Sequence, residues 1–172
     1  MRIPIAPAQD RPMDSRDAIK ISIDVGNMVM LAYLEDLADD ELFHRPAPGC
    51  NHINWQLDHL IWSDHHHLEI GAPSYLQPLP DGFNDIYNAE TASIDGPSRF
   101  LTKAELLAAR EVQQQATLAA LDQQTSADLE RETDIFWAPT VAALFSMAGS
   151  HWLMHAGQWS VVRRQLGRPP LF

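Results

Sequence analysis

The residues best equipped for chemistry in this 172-residue chain are its eight histidines. His151–Trp152–Leu153–Met154–His155 sets two imidazoles at an i, i+4 spacing, on one helical face and one turn apart. Such a pair is a two-point clamp for a transition-metal ion. It lacks the glutamate of a zincin motif, because Trp152 stands in that place, so a general base of that kind is missing. A third donor would have to come from elsewhere. His52, His59 and His66 recur every seven residues and share a stripe with Trp55 and Trp62. His59, mid-helix between the two tryptophans, is the one expected to point into a bundle interior. His52 and His66 lie near the helix ends and are expected at the surface or behind the ligands. The run His65–His66–His67 points three ways around a helix and cannot form one site. Three neutral imidazoles with one or two open positions describe a catalytic metal site that activates a bound water or thiol. Spacing alone fits the same three residues equally well as core histidines bonded to carbonyls or carboxylates.

Helices must hold these residues. Asp14 or Ser15 caps a first helix, with Ile21, Val25, Met28 and Ala32 on one face, running to about Ala38. Arg45–Pro46–Ala47–Pro48–Gly49 forms a loop. Asn51 caps a second helix that runs to about Ile70. Residues 73–101 are rich in proline and glycine and read as a long crossover, with the character of a lid. Thr102–Lys103–Ala104–Glu105 is a capping box that opens a third helix, ending near Gln123. Residues 125–138 carry little signal. Pro139 suits a first helical position, and a fourth helix follows to Leu166, closed by Gly167. The expected fold is all-α, a four-helix bundle with a long crossover connection. Residues 1–13, with Pro4, Pro7 and Pro12, read as an extended arm, and 14–172 as one domain.

Composition narrows the partners. Lys and Arg number 12 against 23 Asp and Glu, a formal charge of −11, which repels phosphate backbones and anionic membranes. No apolar run is long enough to span a bilayer, and the first residues lack the apolar stretch of a signal peptide. A cytoplasmic protein is the expectation. Cys50 is the only cysteine, which excludes an internal disulfide and a cysteine-cluster zinc site. Glu41-x-x-His44 has the spacing of a di-iron bundle but occurs once, beside a proline-bounded loop, so a ferritin-like centre is rejected.

Two segments carry a resemblance. Asn54–Trp55–Gln56–Leu57–Asp58–His59–Leu60 resembles the second helix of the DinB/YfiT-like family, whose members are regarded as metalloenzymes. His151–Trp152–Leu153–Met154–His155–Ala156–Gly157–Gln158 is similar to that family's HxxxH followed by Gly-Gln, and Arg163, Arg164, Leu166 and Gly167 match its helix ending. The element order agrees from about residue 14 to 172. The resemblance implies a divalent metal, zinc or nickel, held by His59, His151 and His155. It also implies a homodimer, and a small-molecule substrate such as a low-molecular-weight thiol: bacillithiol, mycothiol or glutathione. Thiol transfer or isomerisation is one implied reaction and metal-assisted hydrolysis the other. A non-catalytic metal- or ligand-binding bundle is the alternative. Many relatives carry an acidic residue where Trp152 stands.

Behind the ligands the choices are few. Asp58 adjoins His59 but projects about 100° away. Gln158, three residues after His155, fits better as an outer partner. Trp55, Trp62 and His66 are placed to pack behind the ligands or to meet a substrate. Arg163 could meet a substrate carboxylate, although an arginine in a last helical turn also simply suits the helix dipole.

Overall fold

The computed structural model describes residues 12–172, so the expected arm lies, apart from its last two residues, outside the described residues. Four long helices make the body: α1 (Ser15–Leu34), α2 (Ile53–Gly71), α4 (Lys103–Gln123) and α6 (Val141–Gln165). Two short helices, α3 (Phe83–Ile86) and α5 (Ser126–Glu130), lie in the connections. The described residues form no strand beyond one isolated bridge between Glu132 and Thr140. The all-α expectation holds.

Cross-helix bonds give the directions. Lys103 donates to the carbonyls of Leu34 and Leu37, while Lys20 pairs with Asp122, so α1 and α4 run antiparallel. Gln56 meets Trp159, and Gly71 lies against Val141 and Leu144, so α2 and α6 are also antiparallel. Ser22 touches Gly149 and Tyr33 meets Arg163, so α1 and α6 are parallel. The order is up, down, down, up, which needs a crossover between α2 and α4. Residues 72–102 supply it. Phe83, Tyr87 and Phe100 bury their rings in the core, and Tyr87 donates to Asn54 at 3.0 Å while accepting from the Leu101 N–H at 3.1 Å. This crossover is a pinned strap rather than a loose flap.

Several helix ends differ from expectation. α1 stops at Leu34, not near Ala38. α2 is capped by His52, not Asn51: its Nδ1 accepts from the Trp55 N–H at 3.0 Å. α6 starts at Val141, two residues past Pro139, behind the hydroxyl of Thr140. α5, unforeseen, has its own capping box of Thr125 and Asp128. Gly167, at φ 75°, closes α6 as expected, with the Arg168 N–H bonded to the Arg163 carbonyl at 2.8 Å.

The buried residues fall into two apolar clusters. One gathers Met30, Leu57, Leu60, Leu106, Trp152 and Trp159. The other gathers Ile23, Leu68, Ala116, Leu121, Val141 and Phe145. Gly26 and Gly149 lie between their levels, where α1 and α6 touch backbone to backbone: a Cβ at Gly149 would stand 2.6 Å from the Ser22 carbonyl oxygen. This contact sets the height of α6, and therefore of His151 and His155.

Candidate metal centre

His59 comes from α2, and His151 and His155 from consecutive turns of α6. Each offers one ring nitrogen, and these three atoms lie within 4.8 Å of one another. The ring centroids are 5.0 Å apart for His59 and His151, 5.4 Å for His59 and His155, and 5.0 Å for His151 and His155. Two nitrogens each ~2.1 Å from one ion span at most ~4.2 Å, so small side-chain rotations bring this set onto an ion.

Protonation favours the same reading. Burial pushes His151 and His155 down to about 4, with neighbouring imidazoles adding to the effect. Burial also holds His59 below its ordinary value. All three are therefore neutral near pH 7, the form that ligates a metal. Trp55 stacks on His59 at 5.8 Å and 9°, and its indole N–H donates to the Asn88 carbonyl on the crossover. The strap thus holds the tryptophan that backs one ligand.

The outer partner of His155 is Gln56, which sequence reasoning missed. His155 Nδ1 lies 3.0 Å from Gln56 Oε1. That oxygen also accepts from Trp159 Nε1 at 2.8 Å, and Gln56 Nε2 donates to the Asn51 carbonyl at 2.6 Å. An indole N–H can only donate and a carbonyl can only accept, so the amide cannot be turned the other way. Gln56 Oε1 must therefore accept from His155 Nδ1–H, which leaves Nε2 free for a metal. Gln158, the expected partner, sits one step further out, accepting from Gln56 Nε2 at 3.2 Å. Replacing Gln56 by leucine orphans two N–H groups and frees the His155 ring. Zinc affinity is expected to fall ~10–100-fold, read by competition with a chelator, and Gln158→Ala to cost far less.

The other sequence candidates stand apart. Trp62 is exposed and stacks on His66, whose Nδ1 faces Glu69 at 3.1 Å. Arg163 is buried against Asp36 and the Tyr33 carbonyl, tying α6 to α1, and so is not placed for a substrate. His52 is buried rather than exposed: Nδ1 caps α2, Nε2 donates to the Ile94 carbonyl at 3.1 Å, and burial pushes it down to about 4. Asp58 touches no ligand, and burial pushes its carboxyl up to about 8. Glu41 and His44 are taken up by Arg168 and Gln165.

The DinB superfamily model matches residues 23–159. The chain belongs to the DinB superfamily. DinB-like proteins bind metals in general, and this chain carries a three-histidine group that could hold one. The DinB fold is also that of a protein described as the conserved protein of locus from Enterococcus faecalis. That crystal structure is 18% identical at TM-score 0.67, over 91% of this chain and 100% of the other. No curated protein matches the sequence. Trp152, which follows the first histidine of HxxxH, is buried and donates its indole N–H to Asp64 at 2.8 Å. No helix among the described residues is long and apolar enough to cross a membrane.

Proposed function

We propose that this DinB chain is a metal-dependent enzyme in which His59, His151 and His155 hold one divalent ion, zinc or nickel. The observation that carries the reading is the convergence of three neutral imidazole nitrogens within 4.8 Å, one of them oriented by Gln56. Three protein ligands leave positions for a substrate, as in catalytic sites. The ion would supply Lewis acidity, lowering the pKa of a thiol or a water there. The chain's own part is to keep the imidazoles deprotonated by burial, to fix the His155 ring through Gln56, and to wall His59 with Trp55.

The reaction is thiol transfer or thiol-assisted isomerisation on a small molecule, with a low-molecular-weight thiol as partner; metal-assisted hydrolysis is the second form. The chain acts as a homodimer in the cytoplasm. The rival reading is a non-catalytic bundle that binds a metal or small ligand through the same histidines. The two are separated by turnover. Metal-loaded protein, given glutathione, bacillithiol or mycothiol with an electrophile panel, should consume thiol faster than metal-free protein. Equal rates throughout would leave the binding reading.

A further inference from the structure

The two apolar clusters are separated by a buried polar belt at the level of the histidines. Asp64 and His67 contribute from α2, Arg110, Gln113 and Thr117 from α4. In this belt Asp64 Oδ1, His67 Nδ1, Arg110 Nε and Gln113 Oε1 have no protein partner, and neither does His151 Nδ1 beside it. Asp64 is 5% exposed, His67 9% and His151 8%, so bulk water does not satisfy them. A cavity of about 10 Å³ opens in this belt, lined by Asp64, His67 and Thr117 with Leu68, Phe145 and Ala148, and Ala148 stands one turn before His151 on α6. That is close to the room one water needs.

The polarity of these atoms is specific. Asp64 Oδ2 accepts from Trp152 Nε1, so Oδ1 is the free acceptor once the carboxyl is ionised, and Trp152 is the residue after His151. Arg110 lies over the Trp152 ring at 5.4 Å and closes the belt on that side. If Nε2 of His151 is to bind an ion, Nδ1 must carry the proton, and a buried N–H needs an acceptor. Gln56 plays that part for His155; no protein atom plays it for His151.

The geometry points to Asp64 as a positioning residue for His151, acting through a water molecule held in the cavity between α2, α4 and α6. The water accepts from His151 Nδ1–H and donates to Asp64 Oδ1 and to His67 Nδ1. Each of these three groups then meets a partner of the correct sense. The inference rests on the reading of His151 as a ligand.

The test uses Asp64→Asn, which keeps the shape of the side chain. Trp152 would claim the amide oxygen, turning the NH2 group into the cavity and removing the acceptor there. Long-range proton–nitrogen spectra of the metal-free, nitrogen-labelled chain show which ring nitrogen of His151 carries the proton, with His151→Gln giving the assignment. The wild type is expected to hold the proton on Nδ1 and Asp64→Asn to lose that preference. Zinc affinity, by chelator competition, is expected to fall ~10–100-fold in Asp64→Asn. Leu68→Ala, which enlarges the same cavity without removing a polar group, should stay near wild type in both readouts. An unchanged tautomer and affinity in Asp64→Asn, or an equal loss in Leu68→Ala, would overturn the assignment. A wild type that binds no zinc but shows the tautomer change would overturn the metal reading and leave the Asp64–His151 link standing.

Discussion

Gly149→Ala should be among the most damaging single-methyl changes in this chain. The new Cβ would stand 2.6 Å from the Ser22 carbonyl oxygen and 2.7 Å from its carbonyl carbon. Both are backbone atoms, so no side chain can swing aside, and α1 and α6 must separate. Overpacking of this kind costs about 3 kcal/mol. For a domain of this size each kcal/mol lowers Tm by ~2–4 °C, so a fall of about 10 °C is expected in a thermal melt. Gly26→Ala meets the same seam from the other side, 2.8 Å from the Gly149 carbonyl oxygen, and should behave alike. His151 lies two residues beyond Gly149, so zinc affinity should fall together with stability. A Tm within a degree or two of wild type would mean that the seam does not set the height of α6.

The second large effect is acid sensitivity of the metal-free protein. His52, His67, His151 and His155 are each pushed down to about 4, chiefly by burial. Their stabilising contribution is complete above the unfolded value of 6.5 and is lost as pH falls toward 4. Asp58 and Asp64 act in the opposite sense. Burial raises them to about 8 and about 7, so their contribution is complete below the unfolded value of 3.8 and is lost as pH rises through the folded values. Between about pH 4 and 6.5 the unfolded chain takes up four protons on the histidines and gives up two from the aspartates. Stability therefore rises with pH across that window, by about 1.4 kcal/mol per net proton per pH unit. Above it the aspartates alone remain, and stability falls again toward pH 8, giving a maximum near 6.5. Denaturant unfolding with a chelator present, at several pH values, would show this dome. Stability that is flat or increases on acidification from pH 6.5 to 5 would contradict it.

The large elements were legible because their signals are local. The Thr102–Glu105 box, the acid at position 14 and the glycine at 167 mark ends that the structure reproduces. The HxxxH pair and the seven-residue histidine stripe are periodicities of single helices, so the three residues that converge could be named before their distances were known. What was missed depends on contacts between distant segments. Gln56 matters only because His155 and Trp159, about a hundred positions later, converge on its amide oxygen. A Gln-x-x-His on one helix facing a His-x-x-x-Trp on another is the pattern that would have flagged it. His52 is enclosed by Phe43 and Phe100, which arrive from two different loops. Asp64, His67 and Arg110 read as ordinary polar positions on their own helices, and become a buried belt only when α2, α4 and α6 pack. α5 escaped because a helix of 5 residues has no periodicity to read.

The central claim is that one divalent ion sits on His59, His151 and His155, and metal content tests it most directly. Plasma mass spectrometry of the purified, untagged protein, beside His59→Ala and His155→Ala, should find about one zinc or nickel per chain in the wild type and none in either variant. No metal in the wild type with none taken up on titration, or full metal retained in both variants, would contradict the account.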